Sequence, residues 1–153
     1  MNASAPEPVP ALAIAPIADA DVAAVVALWQ ACGLTRPWND PQADIAMARR
    51  EPNSAVLIGR AGDAIVATAM LGHDGHRGWV YYVAVDPDRR GKGYGRTIMH
   101  AAENWLREAG IAKLQLLVRR ENVKAGAFYR SIGYAEAQTI VFAKWLDGRE
   151  LTP

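Results

Sequence analysis

The chain is poor in features that mark several large protein classes. Its 153 residues include one cysteine, Cys32, which excludes an internal disulfide and a multi-cysteine metal site. No apolar run reaches the ~20 residues needed to cross a bilayer. The N-terminal segment lacks the basic start of a signal peptide, and Pro6, Pro8, Pro10 and Pro16 interrupt its apolar letters. These absences fit a cytoplasmic protein in a reducing compartment, with no membrane partner. Charge of one sign is lacking too: 17 Lys and Arg offset 16 Asp and Glu, leaving no broad basic field to attract nucleic acid. No metal is expected.

What is present is enough apolar sequence, 51% of residues, to build one core without staples. Residues 1–10 read as a mobile tail and 11–153 as a single domain. Leu12–Pro16 reads as a short strand. Asp19 and Asp21 are candidate N-caps for a helix carrying Val22, Val25, Val26, Trp29 and Cys32 at helical spacing. Asp40-Pro41 is a strong second helix start. Ser54–Arg60 and Ile65–Leu71 read as a hairpin around Gly62-Asp63, and Trp79–Val85, apolar on both faces, as a central strand. A helix over Tyr94–Ala109, with Ile98, Ala102, Trp105 and Ala109 as its buried stripe, precedes a strand at Lys113–Val118. Asn122 caps a short helix bearing Phe128 and Tyr129, and Thr139–Leu146 alternates like a last strand. There Val141, Phe142 and Trp145 suit either the core or pairing with a second subunit, which leaves a homodimer open. The order β-α-α-β-β-β-α-β-α-β describes an α+β, αβα layered sheet, with strand 4, its helix and strand 5 as a right-handed parallel crossover.

The most informative stretch joins Val83-Ala84-Val85 to Asp86-Pro87-Asp88-Arg89-Arg90-Gly91-Lys92-Gly93-Tyr94-Gly95-Arg96. An apolar strand runs into a basic, glycine-rich turn and then a long helix. Glycines let the main chain approach a ligand closely. The first helical N–H groups have no intrahelical partners, and the helix dipole places positive potential beside them. Such a turn suits a phosphate or pyrophosphate. It is not a Walker A loop, since no Ser or Thr follows Gly-Lys, and its G-x-G-x-G spacing departs from the Rossmann G-x-G-x-x-G. A plain turn with solvated arginines explains this concentration of charge poorly.

Arg90-Gly91-Lys92-Gly93-Tyr94-Gly95 resembles the Q/R-x-x-G-x-G/A signature of the GCN5-related N-acetyltransferases, the GNAT superfamily. Asn122…Ala127-Phe128-Tyr129…Ile132-Gly133-Tyr134 is similar to that family's second motif. The likeness covers about residues 11–146 and is nearest to bacterial YpeA-type acetyltransferases in the stretches around Pro37-Trp38 and Gly72–Trp79. The resemblance implies a mixed, mostly antiparallel sheet of about six or seven strands with about four helices. It also implies acetyl-CoA as cosubstrate and direct transfer to a primary amine, on a small metabolite or a protein. By position, the main chain of Arg90, Gly91, Lys92, Gly93, Tyr94, Gly95 and Arg96 would hold the pyrophosphate. Val83, Ala84 and Val85 would bond the pantetheine arm where strand 4 parts from strand 5, often at a bulge. Asn122 would contact the coenzyme arm as well as cap its helix. Tyr129, which taken alone reads more readily as a packed aromatic, would by its place in the second motif be general acid to the leaving thiolate and touch the coenzyme.

The base is less determined. Many family members carry a glutamate on or near strand 4, whereas this strand reads Trp79-Val80-Tyr81-Tyr82-Val83. Tyr81 could hold a water for the purpose. His76 titrates in the right range but sits in a turn, and Asp40 serves as an N-cap. The acceptor site is expected between the 34–40 loop and the 72–78 turn, with Arg36 binding an acceptor anion, or merely solvated, and Trp38 covering an apolar part. The missing glutamate also keeps open a non-catalytic acyl-CoA-binding sensor or partner subunit.

Overall fold

The computed structural model describes residues 10–152, so the tail expected at 1–10 lies, but for Pro10, outside the described residues. The chain forms two compact units, one running to Leu117 and one from Val118 onward.

In the first unit β1 (Ala13–Pro16) leads into α1 (Val22–Ala31) and α2 (Pro41–Arg50). Then come β2 (Ser54–Ala61), β3 (Ala64–His73), β4 (Gly78–Val85), α3 (Tyr94–Glu108) and β5 (Leu114–Gln115). The strands form one sheet in the order β1-β2-β3-β4-β5. All pairs are antiparallel except β4–β5, which is parallel. The strong local signals sit where the sequence placed them. The Asp40 carboxylate accepts from Gln42 N and Ala43 N at 3.0 and 3.2 Å and caps α2. Gly62, at φ +61°, makes the β2–β3 turn.

Two helices cover one face of the sheet. Val25, Leu28 and Trp29 of α1 and Ile45 and Ala48 of α2 pack with Val56, Ile58 and Ala84. Strand side chains alternate between faces, so Leu57 of β2, buried like its neighbours, points the other way. There α3 packs on β2, β3 and β4. Gly78 makes room for this contact: a Cβ on it would come within 2.6 Å of Leu106 Cδ1, so the Leu106 side chain would have to shift.

Four expectations need correction. Neither Asp19 nor Asp21 caps α1 through its side chain; the chain enters through a 3-10 turn at Asp19–Asp21. The Asp21 carboxylate instead accepts from Ala18 N at 2.9 Å and pairs with Arg60. The buried stripe of α3 is Ile98, Met99, Ala102 and Leu106, while Ala109 is exposed. A 3.6-residue period fixes the apolar arc, but neighbouring strands decide its centre. The strand expected at Lys113–Val118 is only Leu114–Gln115. No strand forms at Thr139–Leu146, so the sheet has five strands among the described residues rather than six or seven.

The second unit contains α4 (Val123–Ser131), capped by Asn122, whose side chain accepts from Ala125 N at 3.2 Å. Beyond it Val141 and Phe142 are exposed rather than core, and the Arg149 guanidinium lies 3.9 Å above the Trp145 ring.

Candidate active site

The glycine turn follows β4 directly. Asp86 N donates to Val66 O at 2.8 Å, and the Asp86 side chain accepts from Asp88 N at 2.9 Å, which fixes a 3-10 turn at Pro87–Arg89. Gly91 and Gly93 then take φ of +80° and +81°, with open space where their Cβ atoms would be. L-residues with side chains disfavour that conformation, so these positions need glycine. Gly93 is the N-cap of the 15-residue α3 and brings no side chain to cover the first-turn N–H groups. Lys92 and Arg96 are exposed beside them. Arg90 is exposed as well, and its guanidinium donates to Cys32 Sγ at 3.8 Å, while the Cys32 thiol donates to Val85 O at 3.3 Å. An uncapped helix start with free cations fits a diphosphate.

Two irregularities open β4 next to this turn. Its ladder with β5 ends at Trp79↔Gln115, although β4 continues to Val85. On its other edge, Thr68 pairs Ala84 while Met70 pairs Tyr81, leaving an extra residue in β4, a β-bulge. Tyr82 sits in it at φ +49°, the one non-glycine positive φ among the described residues. A closed set of contacts holds it. The Tyr82 ring stacks on Trp29 at 3.8 Å with 8° between planes. Trp29 Nε1 donates to Thr68 Oγ1 at 2.8 Å, and Thr68 Oγ1 donates to Tyr82 O at 2.9 Å. The Tyr82 hydroxyl donates to Asp44 Oδ2 at 2.8 Å. Burial, followed by this carboxylate, pushes the Tyr82 phenol far above its ordinary value.

On the face of α2 lies a cavity of about 440 Å³, walled by Trp79, Tyr81 and Tyr82, floored by Met70, and edged by Asp44 and Asp74. Arg77 N and His76 N donate to Asp74 Oδ1 at 2.8 and 2.9 Å and hold its carboxyl below the usual range. Burial, then the Asp74 charge, pushes the Tyr81 phenol up.

A bulged, parted strand running into an uncapped glycine turn is a local geometry; the global match decides the family. Residues 22–134 match the acetyltransferase (GNAT) family. The chain belongs to that family.

The acetyltransferase is 37% identical over 126 residues to an acetyltransferase of Yersinia enterocolitica serotype O:8, covering 82% of this chain and 89% of the relative. Its fold is similar to that of a putative acetyltransferase from Agrobacterium tumefaciens, with a TM-score of 0.74 at 23% identity, over 87% of this chain and 99% of that one. It is also similar to AAC(6')-Iy in complex with a bisubstrate analogue, with a TM-score of 0.75 at 16% identity, over 88% and 97% of the two chains. At such identities the likeness speaks for the fold. GNAT acetyltransferases use acetyl-CoA. No helix among the described residues is long and apolar enough to cross a membrane, and no group of three or more His, Cys, Asp or Glu among them could hold a metal ion.

In the acetyltransferase, Val83 stands in the bulge beside Tyr82, Ala84 and Val85 lead from it to the glycine turn, and Tyr81 lines the cavity, about half exposed. Arg36 and Trp38 do not line it. The Arg36 guanidinium donates to Gly33 O and Thr35 O at 2.7 and 3.0 Å. His76 stands in the turn, with its main-chain N–H given to Asp74. Tyr129 belongs to the second unit, partly buried between Phe128 and Tyr134, at ring distances of 5.1 and 5.8 Å. Burial pushes its phenol up to about 12. Sequence reasoning missed Asp44, Asp74 and the Thr68–Tyr82 pair. Asp44 lies four residues after the N-cap of α2, where an acid reads as helix-dipole complement. Tyr82 carried no signal, since a bulge is decided by register.

Proposed function

We propose that this acetyltransferase moves the acetyl group of acetyl-CoA directly to a primary amine, with residues 11–153 acting as one catalytic domain. The observation that carries the reading is the bulged end of β4, parted from β5, running into the uncapped start of α3. Main-chain N–H groups from Arg90 to Arg96 bind the diphosphate, aided by Lys92 and Arg96. The β4 edge at Val83–Val85 holds the pantetheine arm as a short added strand, and an N–H there polarises the thioester carbonyl. The amine attacks that carbonyl and the thiolate leaves. Asn122 is assigned to the coenzyme arm and Tyr129 to the proton donor, both on their places in the second motif. With its phenol at about 12, Tyr129 is fully protonated at neutral pH. A free thiol titrates near ~8.5, so the transfer is uphill unless the departing thiolate is desolvated too, which raises its own basicity. Tyr81, with its phenol pushed up, does not work as a phenolate; its hydroxyl can hold the water that takes the amine proton.

Calorimetric titration with acetyl-CoA tests binding. Gly93→Asp, which strains the left-handed N-cap and sets an anion against the diphosphate, should weaken binding by more than about tenfold. Folded wild-type protein that gives neither heat nor thermal shift with acetyl-CoA would sink the reading. Tyr129→Phe should lower kcat by about 10²-fold or more with the acetyl-CoA Kd unchanged; full turnover in that variant would remove the acid assignment.

A further inference from the structure

We propose that the acceptor entering the cavity beside β4 is a small amine carrying a second, non-reacting ammonium group, which Asp44 and Asp74 recognise against the aromatic wall of Trp79, Tyr81 and Tyr82. The inference rests on the acetyl-transfer reading above and names its substrate class. The cavity volume, about 440 Å³, is that of a small-molecule site. Two carboxylates, brought from α2 and from the β3–β4 turn, share the lining with His73, whose Nδ1 accepts from Gly75 N at 3.2 Å, and no Lys or Arg joins them. The nearest arginines in sequence are directed elsewhere. Arg36 bonds the carbonyls of Gly33 and Thr35, and Arg77 lies 3.3 Å from His76 O. Asp44 spends Oδ2 on the Tyr82 hydroxyl, and Asp74 spends Oδ1 on two main-chain N–H groups and takes a further hydrogen bond from the Trp79 side chain. Both are thereby oriented while retaining lone pairs for a ligand. Aromatic rings suit the same ligand, since their faces attract cations.

One ammonium would not make good use of this site. The attacking nitrogen must be uncharged, and a carboxylate a few ångströms away favours its protonated form by about 1–3 pKa units. Two carboxylates trained on the reacting nitrogen would work against transfer. Directed at a second ammonium they supply affinity without that penalty. In the reaction, one nitrogen forms its C–N bond as the C–S bond breaks. Its proton leaves through water, the thiolate takes a proton from the donor, and the second ammonium stays charged throughout. A linear polyamine and an amino-bearing cyclitol share this chemistry.

Steady-state kinetics on the full chain should compare spermidine, 1,4-diaminobutane and 2-deoxystreptamine with hexylamine, glutamate and a peptide with a free N-terminus. At least one of the first three should exceed hexylamine in kcat/KM by about 30-fold or more. Which of them leads separates the linear from the cyclic source. Asp44→Asn and Asp74→Asn keep the acceptor oxygens for Tyr82 and for the turn. Each should raise KM for the preferred diamine or triamine by about 5–10-fold more than it changes KM for hexylamine. Asp63→Asn, the same charge change in the β2–β3 turn, should leave KM for both amines within about twofold. Quenching of tryptophan fluorescence by the same amines gives binding without turnover. If no amine reacts but multiply charged amines bind through Asp44 and Asp74, the transfer reading fails and the cavity assignment stands. If amines react and hexylamine, glutamate or the peptide matches the multiply charged set, the assignment is overturned and transfer stands.

Discussion

At the scale of single residues, Thr68 carries more than its size suggests. It is fully buried and its hydroxyl serves two partners, accepting from Trp29 Nε1 and donating to Tyr82 O. Thr68→Val keeps the shape and leaves both partners unsatisfied, so chemical denaturation should show a loss of about 2–4 kcal/mol, and Thr68→Ser should recover most of it. The same substitution removes one restraint on the left-handed Tyr82 and should raise KM for acetyl-CoA more than it lowers kcat. Asp21 is the second case. The Ala18 N–H, and after it Arg60, hold its carboxyl below the ordinary 3.8. A group whose folded pKa is depressed contributes stability above its unfolded value and loses it as pH falls through the folded one. Asp21→Asn should therefore lower Tm at neutral pH and narrow its gap from wild type below about pH 4. An unchanged gap down to acid unfolding would contradict the assignment.

Among elements, β4 does the most to position the site. One edge of it ends its pairing with β5 early, the other carries the bulge, and its face meets α3 through Gly78. Gly78→Ala would push a methyl into Leu106, and unfolding should report a loss of about 1–3 kcal/mol. The helix starts, the hairpin and the glycine turn were legible because each depends on a few residues acting on their own backbone: Asp40 before Pro41, Gly62 in its tight turn, Gly93 at a left-handed N-cap. The bulge was not legible from these residues, because Tyr81-Tyr82 reads as ordinary strand until the register with Thr68 and Met70 is known.

For the whole molecule, protection should divide along the chain. Paired main-chain groups of β2, β3 and β4 lie over buried side chains, whereas residues 135–152 contain no helix or strand and Ile140, Phe142 and Leu146 are largely exposed. Amide hydrogen exchange should be slowest in β2–β4 and fastest after Tyr134. Protection at 139–146 equal to that of β3 would show a further strand pairing there, within the chain or with a second copy.

Sequence by itself determined the family, whose acetyltransferases use acetyl-CoA. The shape of the basic G-x-G-x-G turn between an apolar strand and a helix comes from its own glycines, and that needs no distant partner. It also determined the caps and turns, whose energetics are local. Tertiary structure alone decided which carboxylates face the cavity and where β4 bulges. It decided too that Arg36 folds back on its own loop. Such outcomes depend on contacts between residues far apart in the chain, Tyr82 with Asp44 and Trp29 with Thr68, and no local pattern records which of them will meet.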